Sequence, residues 1–154
     1  MNIIGFWKPS EIPYGVFSQW YNSSFIENNI IFNNCEQYMM YHKAKLFNDI
    51  EKSEEILQNN DPKVLKEIGK LVKNFNQKIW DSNKYQIVLE GNLLKFSQNK
   101  KLKIILKSTN YYEIVEASPF DKIWGIGTTD TKNRNKWNGE NLLGKVLMDV
   151  RNRL

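Results

Sequence analysis

The chain has 154 residues with 41% hydrophobic and 25% charged content, which fits one globular domain over residues 1–154 with a sizeable core. A single cysteine excludes an internal disulfide, and we find no apolar run long enough to span a bilayer and no signal-sequence pattern, so we expect a cytoplasmic protein without membrane contact. The formal net charge of +5 suits small phosphate-bearing ligands or nucleic acid, although scattered lysines are also typical of a solvated surface.

The beginning of the chain predicts β structure. IIGFW at 3–7 is an apolar run typical of a strand, and SSFIENNIIF at 23–32 predicts a hairpin. Asn28 and Asn29 stand between its two β-prone halves, and asparagine tolerates the positive φ of a tight turn. From Asn34, a suitable helix cap, the apolar spacing becomes helical.

The middle of the chain predicts helices. Asp61 followed by Pro62 is a clear helix start, because the aspartate can cap and the proline suits the first helical position. Gly91 weakens the case for one unbroken helix in its segment. The predicted helices cover 35–47, 49–57, 62–72, 77–98, 100–106 and 141–154.

The last part of the chain adds a strand and two loops. YYEIVEASP predicts a strand over 111–117 that ends at Pro119, DKIWGIG predicts a glycine-containing loop, and the polar segment 128–140 predicts a long mobile loop. Together these elements predict a single, predominantly helical α+β domain with a small β-sheet built from the N-terminal strands and the 111–117 strand. We expect a pocket between the 35–47 helix and the 119–141 segment.

Two opposite charges face inward on the 35–47 helix. At 100° per residue Glu36 and Lys43 project to one side, roughly 10 Å apart along the axis, together with Met39, Met40 and Phe47. Charges on an inward face are costly unless they are paired, hydrogen-bonded or lining a wet cavity. Either each charge has its own buried partner, or the two form the floor of a ligand cavity with an acid and a base.

The other polar residues of this helix restrict the chemistry. His42 is the only histidine and falls toward the outer side, where a surface histidine is expected. That argues against a histidine triad and a multi-histidine metal site, and the lone Cys35 excludes a CxxC zinc cluster. No residue cluster requires a metal or an organic cofactor. Tyr38 lies at the side of the stripe as either a core residue or a polar handle.

Several segments, in order and in register, resemble the NADAR (YbiA-like) family over nearly the whole chain. The helix carries the E-x-Y-x-x-x-x-K signature within CEQYMMYHKAKLF. The other matching segments are FSQWYNSSF, DPKVLKEIG, IW followed by LLKFSQN, DKIWGIG and NLLGKVLMDVR. Cys35 departs from this pattern where some relatives carry serine or threonine, a change that affects an N-terminal cap rather than the chemistry.

The resemblance implies an N-glycosidase that cleaves the bond between a ribose carbon and a base nitrogen or amine. It implies phosphorylated aminopyrimidine intermediates of riboflavin synthesis or ADP-ribosylated guanine, including ADP-ribosylated nucleic acid, as substrates. Glu36 and Lys43 match the helix signature of the family. Four further residues match its loop and closing helix: Asp121, Trp124, Asn141 and Arg151. The alternative is a non-catalytic module that binds ADP-ribose or a related nucleotide.

Breaking a C1–N bond builds positive charge on the sugar and negative charge on the departing base. Glu36 or Asp121 can stabilise the cation or activate water, and a protonated carboxyl can deliver a proton to the base. Lys43 has two candidate roles: a fixed cation for hydroxyls or phosphate, or a nucleophile that captures C1 as a Schiff base. The residue types leave both assignments open.

Trp124, flanked by Gly125 and Gly127, is a candidate to stack on a planar base while the glycines allow close backbone approach. The alternative is a hydrophobic plug in a glycine-assisted turn. Arg151 suits either a phosphate or an ion pair that fixes the last helix. The weaker binding candidates are Ser18, Trp20, Tyr38, Trp80 and Asn141, and the candidates for substrate selection are Asp130, Lys132 and Arg134.

Overall fold

Six α-helices and four short strands form the regular structure of residues 2–154, the part of the chain that the computed structural model describes. The strands are β1 (Ile3–Phe6), β2 (Phe25–Glu27), β3 (Ile30–Phe32) and β4 (Glu113–Glu116). The helices are α1 (Cys35–Leu46), α2 (Ile50–Leu57), α3 (Pro62–Lys70), α4 (Gln77–Gln98), α5 (Lys100–Ser108) and α6 (Leu142–Arg153). This composition confirms the predicted mainly helical α+β class.

The chain divides into two units of contacting residues. The first comprises residues up to Tyr21 together with Phe96–Leu154, and the second comprises Asn22–Lys95. None of the helices in residues 2–154 is both long enough and apolar enough to cross a membrane.

The first unit is organised around a parallel strand pair. β1 and β4 pair in register from Ile3 opposite Glu113 to Phe6 opposite Glu116. Helix α6 packs against β4 with one apolar stripe. The stripe consists of Leu143, Val146, Leu147 and Val150, as the sequence predicts. Because the strands are parallel, the segments that follow Phe6 and Glu116 leave the sheet at the same edge.

The second unit combines a hairpin with helices. β2 and β3 pair antiparallel, and the turn residues Asn28 and Asn29 have φ values of 50° and 65°, as predicted. The predicted single small sheet is wrong in one respect: within residues 2–154, β2 and β3 pair only with each other. A two-residue turn closes the hairpin locally, so its strands need no partner from elsewhere to satisfy their facing groups.

Local capping fixes the helix starts. The side chain of Asn34 accepts a hydrogen bond from the Gln37 amide, and the side chain of Asp61 accepts one from the Lys63 amide. The cap of α1 therefore comes from Asn34, so Cys35 is a helix residue and not the cap. The predicted starts are confirmed, whereas α3 ends at Lys70, two residues earlier than expected.

Helix α1 is central to the second unit. It packs against α2, α3 and β3, and its first six residues, 35–40, are all buried. The predicted inward residues Glu36, Met39, Met40 and Phe47 are buried and Lys43 is half-buried, which confirms the predicted face. The buried arc is wider than expected, because a helix covered on several sides shows no single apolar stripe.

Helix α4 continues without a break through Gly91. A Cβ at this position would lie 2.6 Å from a ring carbon of Tyr38, so the glycine lets α1 and α4 approach closely. The packing gain on this side offsets the lower helix propensity of glycine.

Candidate active site

The amine of Lys43 lies between two aromatic rings of the second unit. Its Nζ is 4.7 Å from the ring centre of Phe75 and 5.6 Å from that of Trp80. Within residues 2–154 this amine forms no ion pair and no hydrogen bond. Trp80 is 9% exposed and Phe75 is 40% exposed, so the indole is the fixed wall and the phenyl ring is the outer one. Both rings lie within cation–π distance of the amine, which favours the ammonium, whereas partial burial opposes the charge.

Burial lowers the pKa of Lys43, and the attraction of Glu36 opposes this shift without cancelling it. Glu36 is 6% exposed and lies two turns earlier on α1. Lys43 and Glu36 do not form a direct ion pair with each other. This agrees with their predicted separation along the helix, which is too large for one. An unprotonated amine is therefore more accessible at neutral pH than for an ordinary lysine, and a carboxyl group stands on the same face.

Phe75 is a site residue that sequence reasoning missed. It lies in the connection after α3, outside every predicted helix, and it contacts Phe47 with ring centres 5.4 Å apart. Phe75 lies over Lys43, which is 32 positions earlier in the chain, and no periodic pattern in the sequence predicts a contact over that separation. Its aromatic type in an otherwise polar stretch, KNFNQK, is the only signal that the sequence offers.

Two further ionisable groups of the second unit are buried without having been predicted. Lys95 on α4 is 0% exposed, and burial lowers its pKa to about 8. Burial raises the pKa of Cys35 to about 11, so the thiol stays protonated at neutral pH. Its Sγ lies 3.8 Å from Oδ1 of Asn92. Val88, Asn92 and Lys95 follow the helical spacing i, i+4, i+7, which is the signal that places all three on one buried face.

His42 is not the surface histidine that we predicted. It is half-buried, its Nε2 lies 2.8 Å from Oε1 of Glu27, and its ring centre is 4.3 Å from that of Tyr38. The hydroxyl of Tyr38 donates to Oε2 of the same glutamate at 2.8 Å. The prediction is wrong because the β2–β3 hairpin covers this side of α1, a long-range contact that helix periodicity does not report. Tyr38 is 1% exposed, which favours its interpretation as a core residue.

Asp121 orders the loop that carries Trp124 in the first unit. Its Oδ1 accepts hydrogen bonds from the amides of Ile123 at 2.9 Å and Trp124 at 2.8 Å. Its own amide donates to Oγ of Ser118 at 3.1 Å. Oδ2 accepts no hydrogen bond from any residue in 2–154. One oxygen of Asp121 is therefore structural, and the other is available to a ligand.

The two loop glycines pack against the protein itself. A Cβ on Gly125 would lie 2.8 Å from the carbonyl oxygen of Glu116. Gly127 has φ of +77°, and a Cβ there would lie 1.9 Å from the side chain of Asn138. These contacts favour the alternative in which the glycines allow a tight turn. Trp124, between them and Asp121, is half-buried.

Asn141 secures the free side of β4. Its side chain accepts a hydrogen bond from the Glu116 amide at 3.0 Å and donates to the carbonyl of Ile114 at 3.1 Å. It has φ of 55°, and α6 begins at the next residue. The side chain of Glu116, only 9% exposed, lies against Gly125. Glu116 is a buried carboxyl that the sequence reasoning did not predict. A charged residue at the end of an apolar strand is nevertheless a pattern that the sequence shows.

Arg151 anchors α6 to the chain that precedes β4. Its Nη1 donates to Oγ1 of Thr109 at 2.9 Å and to the carbonyl of Tyr112 at 2.8 Å. Burial lowers the pKa of this guanidinium. Neither predicted partner, a phosphate or a carboxylate, is needed to explain its position.

The remaining predicted residues of the first unit lie in turns. Oγ of Ser18 accepts a hydrogen bond from the Trp20 amide at 3.1 Å. In the long loop Arg134 pairs with Glu113 and lies 4.4 Å from the ring centre of Trp137, while Asp130 pairs with Lys136. A cavity of about 620 Å³ includes Lys132 and Arg134 in its wall and none of the residues predicted to be catalytic.

The mainly helical α+β fold thus places a half-buried amine and a buried carboxyl on one helix, two groups of the types that covalent and acid–base catalysis use. The model of the NADAR domain matches residues 5–154. The chain therefore belongs to the NADAR family, as the resemblance predicts.

Individual relatives agree with this assignment. N-glycosidase R617 of Acanthamoeba polyphaga mimivirus is 49% identical over 145 residues, which cover 88% of this chain and 85% of the relative. N-glycosidase YbiA of Shigella flexneri is 29% identical over 152 residues, covering 99% of this chain and 88% of the relative. The NMR structure of the E. coli protein YbiA superposes with a TM-score of 0.83 at 28% identity and covers 99% of this chain and 84% of that one.

Proposed function

We propose that this protein hydrolyses the bond between C1 of a ribose and the nitrogen of a base, with Lys43 as the nucleophile. The observation that carries the proposal is the amine of Lys43 between Phe75 and Trp80, desolvated and without an ion pair in residues 2–154. Burial lowers the pKa of Lys43, a direction that suits a nucleophile more than a fixed cation for phosphate, the alternative role. The same shift favours attack by the neutral amine.

The class of reaction rests on the relatives. Two proteins named N-glycosidase match 88% and 99% of this chain, and the predicted hydrolase acting on N-glycosyl bonds is confirmed at that level. The base and the substituents on the ribose belong to the proposal.

In the proposed reaction the neutral Nζ of Lys43 attacks C1 of the ribose. The C1–N bond to the base breaks, its electron pair stays on the base nitrogen, and that nitrogen takes up a proton. The ribosyl-lysine then opens to an imine, water adds to C1, and cleavage of the C1–Nζ bond releases ribose and restores the amine. Glu36, on the same face of α1, is the proposed donor of the proton to the base and the acceptor of a proton from water.

Two substrate classes fit the proposal: phosphorylated aminopyrimidine nucleotides and ADP-ribosylated guanine, free or in nucleic acid. Both carry phosphate, which suits the net charge of +5. In the first unit, Asp121 through its Oδ2 and Trp124 through its indole remain proposed substrate contacts. No metal or cofactor takes part in the proposed steps.

The first test gives the protein equal amounts of a ribosylated aminopyrimidine phosphate and ADP-ribosylated guanosine, followed by mass spectrometry. Release of either free base is the expected result, and the compound that disappears identifies the substrate. Adding borohydride during turnover should trap the imine as a stable adduct on Lys43. Lys43→Met should abolish both results, whereas Lys45→Met, an exposed lysine two residues away, should change neither.

A nucleotide-binding module without catalysis predicts a different outcome. In that case both compounds stay intact, and the wild-type and Glu36→Gln proteins bind them equally. For the enzyme, Glu36→Gln should retain binding and lose turnover. Base release without a borohydride adduct would keep the glycosidase and overturn the role of Lys43 as nucleophile.

A further inference from the structure

Two contacting aromatic rings, exposed Phe120 and half-buried Trp7, lie at the edge of the first unit where both parallel strands end. Trp7 directly follows β1, and Phe120 lies four residues after the end of β4. Their ring centres are 5.9 Å apart, with the planes inclined by 57°. In parallel sheets this carboxyl edge is where loops build ligand sites.

The exposure of Phe120 is not explained by packing. Its side chain is 83% exposed, so nearly all of its apolar area stays in water. Single exposed apolar residues are ordinary on protein surfaces, but here the exposed ring contacts a second aromatic ring. Two rings in contact offer more π surface than an isolated phenylalanine, although their planes are inclined and do not form one flat platform.

The backbone holds both rings in place. The amides of Phe120 and Asp121 donate to Oγ of Ser118, at 3.2 Å and 3.1 Å. The amide of Trp7 donates to Oε1 of Glu11 at 2.8 Å. The backbone that carries the two rings is therefore ordered by local hydrogen bonds, which reduces the entropy lost when a ligand stacks on them.

The charges beside the pair indicate what can stack. The ammonium of Lys8 lies 5.0 Å from the ring centre of Trp7 and can meet a phosphate on the bound molecule. Oδ2 of Asp121, next to Phe120 in the chain, is an available acceptor for the N–H groups of a base. A planar ring with N–H donors at its edge and a phosphate nearby has a group for each of the three: the aromatic rings, Oδ2 of Asp121 and the ammonium of Lys8.

We propose that Trp7 and Phe120 form a stacking site for the planar base of a nucleotide, with Lys8 placed for its phosphate. This inference goes beyond the proposed function, because it concerns nucleotide binding by the first unit and does not depend on the chemistry proposed for Lys43. It places base recognition partly on residues outside the family signature, and Phe120 would set how strongly a flat base is held.

Binding of AMP and of ribose 5-phosphate is measured by calorimetry, and mass spectrometry of the same samples checks that AMP, which also carries a ribose C1–N bond, stays intact. Loss of a stacking ring should weaken AMP binding roughly tenfold in Phe120→Ala and in Trp7→Leu. Phe120→Tyr should restore it, and ribose 5-phosphate, which has no base, should bind all variants alike. Tyr111→Ala is the matched control, since Tyr111 is 81% exposed and should leave AMP binding unchanged.

Equal AMP affinity in wild type and Phe120→Ala would overturn the site, as would a wild type that does not bind AMP at millimolar concentration. An equal loss for ribose 5-phosphate would also overturn it, because the effect would not come from the base. A glycosidase that releases base while AMP binding ignores Phe120 refutes only this inference. Phe120-dependent AMP binding without any base release refutes only the catalytic proposal.

Discussion

The reactivity of Lys43 depends on how much water reaches its amine. Phe75 is the exposed wall of its surroundings, so Phe75→Ala should hydrate the ammonium and raise its pKa toward the ordinary value. Each unit by which the pKa rises lowers the unprotonated fraction roughly tenfold at a pH below it. We expect kcat/KM to fall near neutral pH and to recover as the pH increases, which a pH–rate profile measures.

Phe75→Leu separates dehydration from the aromatic face. Leucine keeps an apolar group over Nζ but offers no ring, so it should leave the pH profile close to that of the wild type. A shift of the profile to lower pH, opposite to that of the alanine variant, would show that the ring face stabilises the ammonium and that exclusion of water is not its main effect.

Oδ1 of Asp121 orders the loop, and its Oδ2 is available to a ligand. The substitution Asp121→Asn distinguishes the structural role from the chemical one. The amide oxygen of asparagine can still accept from the amides of Ile123 and Trp124, so the melting temperature should stay unchanged. The charge is lost, and kcat should fall by roughly a hundredfold if the carboxylate acts on the reacting sugar. Unchanged kcat with an unchanged melting temperature would limit Asp121 to ordering the loop.

At the scale of elements, a buried guanidinium helps to fix the position of α6 in addition to its apolar stripe. Arg151→Met leaves Oγ1 of Thr109 and the carbonyl of Tyr112 without their donor, which should cost about 1–3 kcal/mol of unfolding free energy. KM should not change, because the hydrogen bonds serve the helix. Urea denaturation and steady-state kinetics measure the two effects, and a raised KM at unchanged stability would favour the predicted phosphate contact instead.

The elements that the sequence predicts well are those with local causes. Asn34 and Asp61 cap helices with their own side chains, and Asn28 and Asn29 adopt the turn that their residue type allows. These signals lie within a few residues of the structure that they determine, so a single sequence contains them.

Features that depend on distant contacts could not be predicted in the same way. His42 is covered by a hairpin that precedes it, and Lys43 is covered by Phe75 from the connection after α3. The family resemblance identified Glu36 and Lys43, but the desolvation of the amine follows only from the packing. Glu116 and Lys95 show that a charged residue within an apolar pattern can be buried, so such residues should be included among the candidates at the sequence level.

At the scale of the whole molecule, two buried groups of opposite type shape the dependence of stability on pH. The pKa of Lys95 is about 8 in the folded protein against an ordinary 10.5, so above pH 8 the unfolded chain binds more protons. Its contribution to the unfolding free energy therefore rises between these values. The pKa of Cys35 is about 11 against an ordinary 9.0, so from pH 9 upward its contribution falls.

Lys95→Met isolates the first of these contributions. The substitution removes the contacts of the ammonium at every pH, so its absolute cost is uninformative, but the pH dependence is specific. The wild-type unfolding free energy minus that of Lys95→Met should increase from pH 8 to pH 10, with a slope of at most about 1.4 kcal/mol per pH unit. Urea denaturation at pH 7, 8, 9 and 10 measures it; these values begin below the folded pKa of Lys95 and stay below its ordinary pKa of 10.5.

Cys35→Ala provides the complementary measurement, because it removes the opposing thiol and keeps the lysine. Its unfolding free energy should continue to rise relative to the wild type between pH 9 and 10.5, the interval in which the two contributions otherwise offset each other. A difference between wild type and Lys95→Met that does not vary with pH would mean that Lys95 keeps its proton when folded. The hydrogen bonds of its surroundings would then compensate the charge fully, and α4 would carry a buried ammonium at all pH values tested.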